Sequence, residues 1–220
     1  MEADFWHARW QNNEIGFNQS KINPYLQPFW PQLNAPHDKA VFVPLCGKSI
    51  DMVWLRTQGY SVLGVEISPI AVSDFFKEQD IIPNVTPQGV FERWEAEGIA
   101  ILVGDFFALS AQDLAACGSV YDRASLVALP PAMREHYAQH VKRITPPDCS
   151  TLLITFEYDQ TERPGPPFAV LESEVRALYQ NDFQVDLWLD VDILPQSPGF
   201  KNAGITYLHE KVYCLGPKAL

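Results

Sequence analysis

With 220 residues, 47% of them hydrophobic and 20% charged, the chain is sized for one soluble α/β domain, and two full domains would be cramped. The net charge of −11 opposes nucleic-acid and anionic-membrane partners, because phosphate contacts need clustered Lys and Arg. Cys46, Cys117, Cys149 and Cys214 lack C-x-x-C spacing, so zinc and disulfide readings are weak, and Cys149 and Cys214 fit as small core residues. The start, Met1-Glu2-Ala3-Asp4, has no apolar leader and no run is long enough to span a bilayer, so a cytoplasmic location is expected.

Residues 3–14 carry aromatic side chains at helical spacing, with Trp6 and Trp10 one turn apart, until Gly16 breaks the pattern before Phe17. Asn23-Pro24 opens a short helical piece, Tyr25 to Trp30. Residues 1–35 lie outside the αβ repeat that follows, so they are expected to pack over the sheet as an aromatic lid. A plain tryptophan anchor is the blander role for the same segment.

From Ala40 the pattern is regular. The apolar run Ala40-Val41-Phe42-Val43 meets the breakers Pro44-Leu45-Cys46-Gly47, a helix-like segment runs from Lys48 to Gln58, and Gly59 stops it. A second apolar run, Ser61 to Val65, ends on Glu66. Strand, Gly-bearing turn, helix, strand and terminal acid is the arrangement that holds a ribose, and Gly47 and Glu66 stand about 20 residues apart, as that unit requires. Gly47-Lys48-Ser49 is not a phosphate-binding loop, because Phe42 occupies the upstream glycine position; no G-x-G-x-x-G is present either. A turn this apolar suits an adenosine ligand without a phosphate chain, S-adenosylmethionine being the common one. The plain alternative is a buried βαβ unit with an incidental acid.

Ser68-Pro69 supplies an N-cap and a first-turn proline for a helix to about Gln79. Val90–Glu95 and Ile99–Val103 read as an antiparallel pair, the second strand leading into Gly104-Asp105-Phe106-Phe107. Ser119–Ala124 reads as a strand carrying Asp122-Arg123, and Pro130-Pro131 starts a helix with Met133, Tyr137, Val141 and Ile144 on one face. Thr151–Phe156 is a strand, Arg163–Phe168 a proline-rich loop, and Glu172–Tyr179 a helix. Val185–Val191 and Tyr207–Leu215 close the chain as strands. His136 and His140 have a metal-ligand spacing but lack the glutamate of a zinc protease, so solvated histidines and no metal are expected.

Ligands of open α/β sheets bind at the carboxyl ends of strands. Glu66 at such an end is assigned to ribose. Asp105 and Phe106 are placed to hold adenine, although Asp105 is equally an N-cap candidate. Arg123 either forms an ion pair with Asp122 or Asp159, or binds a carboxylate or developing thiolate.

These residues resemble the thiopurine S-methyltransferases, apparently of the bacterial type, over nearly the whole chain. The resemblance lies in Phe5-Trp6…Arg9-Trp10, Ile15–Ser20, Val43–Ser49, Gly64–Ser68, Gly104–Phe107, Tyr121–Ala128 and Gly165–Phe168. It implies a class I methyltransferase fold: a Rossmann-like, doubly wound, seven-stranded sheet with one antiparallel strand and an N-terminal helical extension, in one domain over residues 1–220. It also implies S-adenosylmethionine as methyl donor and an aromatic or heterocyclic thiol such as a thiopurine as acceptor; separately, a monomer is expected. Selenium or tellurium compounds are a further acceptor class in some bacterial relatives. By the same resemblance Trp10, Leu45, Glu66, Asp105, Phe106 and Arg123 contact the cofactor, and Phe17 lies next to the acceptor. Methyl transfer is in-line, so alignment is the main demand. Arg123 is the expected catalytic residue, favouring the thiolate electrostatically.

Overall fold

The computed structural model describes residues 3–123 and 125–218. The expected strand end at Ala124 and the outermost residues, Met1, Glu2, Ala219 and Leu220, lie outside them. Two compact units are present, Met1–Tyr121 with Ile144–Pro146, and Asp122–Arg143 with Pro147–Leu220.

In the first unit, α1 (Ala3–Gln11) and the short α2 (Leu26–Phe29) precede an alternating core. That core consists of β1 (Ala40–Val43), α3 (Asp51–Thr57), β2 (Val62–Glu66) and α4 (Pro69–Glu78), then β3 (Asn84–Gln88), β4 (Phe91–Ala96), β5 (Ile99–Val103) and β6 (Cys117–Asp122). The strand order is β3-β4-β5-β2-β1-β6. β1 pairs in parallel with β2 and with β6, and β2 with β5, whereas β3 and β4 run antiparallel. The order therefore reverses at β1, which makes its carboxyl end the topological switch point where open α/β sheets take ligands.

The parallel strands read as near-continuous apolar runs because both faces are covered. β2 is buried at every position, and α4 turns Ala71, Val72, Phe75 and Phe76 inward. Each such phenylalanine contributes about 1.5–3 kcal/mol by leaving water. The helix start fits the sequence, since Ser68 Oγ accepts from Ala71 N at 3.4 Å with Pro69 at the first helical position.

The second unit holds α5 (Ser125–Ala128), α6 (Pro131–Ile144), β7 (Ser150–Glu157), α7 (Glu172–Tyr179), β8 (Phe183–Asp192), α8 (Pro198–Asn202) and β9 (His209–Pro217). Its strands run in the order β7-β9-β8, antiparallel throughout.

The described residues thus form nine strands rather than seven, and more than one is antiparallel. The added strand β3 is exposed and contains Pro87, a residue tolerated only where no ladder partner is needed, as at an edge. No helix among the described residues is long and apolar enough to cross a membrane.

Candidate active site

The turn after β1 is shaped by two left-handed residues, Leu45 (φ 46°) and Gly47 (φ 54°). Glycine takes that conformation freely, but for a leucine it costs about 1–2 kcal/mol, so something must hold it there. Cys46 N donates to Val65 O at 3.0 Å, and Gly47 N donates to Glu66 Oε2 at 2.9 Å. Glu66 Oε1 accepts from Ser68 N at 2.8 Å. One carboxylate therefore braces both turns, β1 to α3 and β2 to α4. Gly64 is required beneath them, because a Cβ there would sit 2.7 Å from Cys46 Sγ. α3 starts at Asp51 instead of Lys48: Gly47 is left-handed, and Ser49, just ahead of the N-cap Ile50, accepts from Asp51 N through its Oγ at 3.3 Å.

Glu66 is only 6% exposed. Burial pushes its carboxyl above the usual range, against N–H donors from Ser68, Gly47 and Ile67. A carboxylate has about four acceptor positions, and the hydrogen bonds from Gly47 N and Ser68 N take one on each oxygen, so acceptor capacity remains even with Ile67 N–H nearby. An acid with spare acceptors and too little solvation suits a vicinal diol, whose two O–H groups would supply what burial removed. A ribose fits this site. Burial, with Glu66 beside it, pushes the Cys46 thiol well up, so it is a neutral packing group and no nucleophile.

Trp10, 6% exposed, lies on the same turn, with its ring 3.4 Å from where a Cβ on Gly47 would be. Lys48 reaches to 6.0 Å from the Trp10 ring centre and is held by Glu78 at 2.6 Å and Asp74 at 3.7 Å. Phe17 stands edge-on to Trp6 at 5.5 Å and to Trp10 at 5.6 Å, and is itself exposed. The chain behind them is anchored by Asp51, whose Oδ1 accepts from Asn23 N at 2.8 Å and whose Oδ2 accepts from Tyr121 Oη at 2.9 Å. Sequence reasoning missed Asp51, since an acid in the first turn of a helix ordinarily faces water.

Gly104 N donates to Glu66 O at 2.9 Å, which sets Asp105 and Phe106 at the neighbouring strand end. Asp105 Oδ1 caps Phe107 N at 2.9 Å, so the capping role is real, and its exposed carboxylate retains the second oxygen. Phe106 is buried with its ring edge-on to Phe107 at 5.2 Å. The first unit therefore gathers Trp10, Phe17, Leu45, Glu66, Asp105 and Phe106 around the carboxyl ends of β1, β2 and β5.

Arg123 belongs to the second unit, directly after β6, and is half-buried. Among the described residues neither expected ion pair is found. Asp122, buried beside it in sequence, accepts from Tyr137 Oη at 2.7 Å and from Ser125 N at 3.1 Å. Burial raises the Asp122 carboxyl, with those donors opposing. Asp159 Oδ1 accepts from Thr161 N at 2.9 Å and Thr161 Oγ1 at 2.7 Å. Of the two histidines on α6, His136 is exposed but His140 is buried, correcting the expectation that both are solvated. Its Nδ1 lies 2.6 Å from Arg143 Nη2, a partner that lets an imidazole leave water.

The thiopurine S-methyltransferase family model matches residues 1–218. Among curated proteins, the thiopurine S-methyltransferase of Azotobacter vinelandii is 51% identical over 215 residues, covering 98% of this chain and 99% of its own. That of Pseudomonas fluorescens (strain Pf0-1) is 48% identical over 213 residues, covering 97% and 98%. Among solved structures, a SAM-dependent methyltransferase from Anabaena variabilis superposes with a TM-score of 0.67 at 13% identity, over 98% of this chain and 95% of that one. The Burkholderia thailandensis 1,6-didemethyltoxoflavin-N1-methyltransferase, solved with S-adenosylhomocysteine, gives 0.65 at 15% identity over 99% and 87%. The fold is the α/β, Rossmann-like fold of these methyltransferases, and the chain belongs to the thiopurine S-methyltransferase family.

Proposed function

We propose that this protein methylates the sulfur of small aromatic or heterocyclic thiols, thiopurines among them. It is a methyltransferase by family, and S-adenosylmethionine is its methyl donor in this reading, in line with the SAM-dependent methyltransferases that share its fold. The observation that carries the reading is Glu66, a buried acid with spare acceptor capacity at the switch point of the sheet, in a chain of this family. In this reading Glu66 takes the ribose hydroxyls, Trp10 and Leu45 line the cofactor, and Asp105 and Phe106 flank the adenine. Phe17 stands beside the acceptor.

When bound, S-adenosylmethionine supplies an electrophilic methyl on a sulfonium that becomes a neutral thioether, while the acceptor thiol gives up its proton and gains the methyl. The protein's own task is to orient the acceptor and favour its anion. Heteroaromatic thiols ionise near neutral pH, so a strong base is unnecessary. Arg123, half-buried and not ion-paired to Asp122 or Asp159, is the group that stabilises the thiolate and contacts the cofactor. The aromatic segment from Trp6 to Phe17 excludes water from this chemistry.

Labelled-methyl transfer to a panel of a thiopurine, a thiophenol, a selenium oxyanion, a catechol and an oligonucleotide tests this. Methyl thioethers from the two thiols, with nothing from the catechol or oligonucleotide, are expected. Binding of S-adenosylhomocysteine without turnover of any thiol would make the protein a cofactor-binding protein with another acceptor or none.

A further inference from the structure

We propose that Arg134 and Tyr137, one turn apart on α6, are positioning residues that hold both flanks of the segment carrying Arg123. The inference rests on the role of Arg123 given above. On the upstream side, Asp122 is fixed by the Tyr137 hydroxyl at 2.7 Å and by Ser125 N at 3.1 Å. On the downstream side, Arg134 Nε donates to Leu129 O at 2.9 Å and to Leu126 O at 3.2 Å. These carbonyls close α5, which has four residues and is far too short to stand alone. A third tie, Phe168 N to Val127 O at 2.6 Å, holds the proline-rich loop to the same turn. Half-buried Arg123 thus lies between two clamped points, and neither clamp uses its guanidinium.

The chemistry of Arg134 shows that this brace serves more than packing. The residue is 1% exposed, its Nη1 pairs with Glu174 Oε2 at 2.7 Å, and its Nη2 has no hydrogen-bond partner among the described residues. A buried charge with an orphan donor is a poor stabiliser, and an apolar side chain of similar volume commonly does as well or better. What an apolar residue cannot do is reach two carbonyls and a carboxylate from one planar group. That rigid fork fixes a turn in one place.

A double-mutant cycle separates positioning from mere support. Arg123→Ala, Arg134→Lys and the double variant are assayed at saturating cofactor with thiols of graded pKa. Lysine keeps the charge opposite Glu174 but lacks the fork. Arg134→Lys is expected to lower kcat about 10- to 100-fold for thiols of high pKa, the scale of an ångström-sized misplacement, and far less for thiols already ionised. The double variant should then be no slower than Arg123→Ala alone, because the brace has nothing left to aim. Losses that multiply, or an Arg134→Lys loss equal across all thiols, would overturn the proposal. An Arg123→Ala variant with full activity would instead remove the role of Arg123, and the proposal with it. Should Arg134→Lys fail to fold, Tyr137→Phe, which deletes one oxygen, goes through the same cycle with the same two outcomes.

Discussion

Two buried charges, one in each unit, are treated in opposite ways. Glu66 in the first unit meets backbone N–H dipoles, with hydrogen bonds from Gly47 and Ser68 and Ile67 close by. Lys211 in the second unit, 5% exposed, meets three carboxylates: Glu157 at 3.0 Å, Asp190 at 3.2 Å and Glu172 at 3.5 Å. Asp190 is shared with His209 at 2.6 Å. Burial acts against the Lys211 charge, yet hydrogen bonds to Glu157 and Asp190 outweigh it and hold the ammonium above its usual range. Among the described residues no ion pair to Glu66 is found, and burial dominates. The lesson is about what remains available: a charge neutralised within the protein is committed to structure, whereas one held by N–H groups keeps acceptors for a ligand.

The largest effect should come from the second region. Lys211→Met removes the buried cation shared by Glu157, Glu172 and Asp190, although Arg176 still pairs with Glu172 at 2.8 Å and His209 with Asp190 at 2.6 Å, and stability should fall by about 3 kcal/mol, near the lower end for breaking a buried pair. Urea unfolding would measure it. Affinity for S-adenosylhomocysteine should stay as it was, and a parallel loss of affinity would erase the contrast between the regions.

The contrast also has a pH signature. The Glu66 carboxyl is raised in the free protein, and two donated ribose hydroxyls favour its ionised form. Binding should therefore lower that pKa, so affinity is full above the raised value and weakens as pH falls through it, by about tenfold per unit once the free protein is protonated. The effect on folding has the opposite sign. A carboxyl raised above its unfolded value leaves stability highest at low pH, and its contribution falls as pH climbs through the same window. Lys211 contributes fully below the unfolded lysine value of about 10.4 and loses its contribution only as pH rises through its raised folded value, so it is silent in that window. Calorimetry between neutral and mildly acid pH separates the two. A flat affinity profile would mean that Glu66 does not titrate at the ligand.

The smallest effect concerns the aromatic segment. Trp10 already rests on the Gly47 turn, so ligand should tighten an existing contact, and hydrogen exchange across residues 3–20 should slow modestly with S-adenosylhomocysteine. Identical exchange would leave the segment a static anchor.

Where the sequence and the structure agree, the physics is local. Ser68-Pro69 caps its helix through its own atoms, and the apolar runs at Ala40–Val43 and Ile99–Val103 are strands because nothing polar interrupts them. Glu66 stood out because a charge at the end of such a run has no local reason. Where they differ, the cause lies far along the chain. Arg134 and His140 are buried on α6 because Leu126, Leu129, Glu174 and Arg143 receive them, and no periodicity encodes those partners. The left-handed Leu45 is equally silent, since its neighbours Cys46 and Gly47 are pinned by Val65 and Glu66 from the next strand.

The ligand role of Glu66 depends on its spare acceptors. Calorimetric titration of S-adenosylhomocysteine into the wild type, Glu66→Gln and Glu66→Ala tests them directly, with unfolding followed in parallel to establish that each variant is folded. Glu66→Ala should weaken binding by about 1.5–3 kcal/mol, the range for hydrogen bonds to a charged group, with Glu66→Gln falling between it and the wild type because one acceptor survives. Unchanged affinity in a folded Glu66→Ala variant would contradict the account, leaving the carboxylate as a brace between two turns and nothing more.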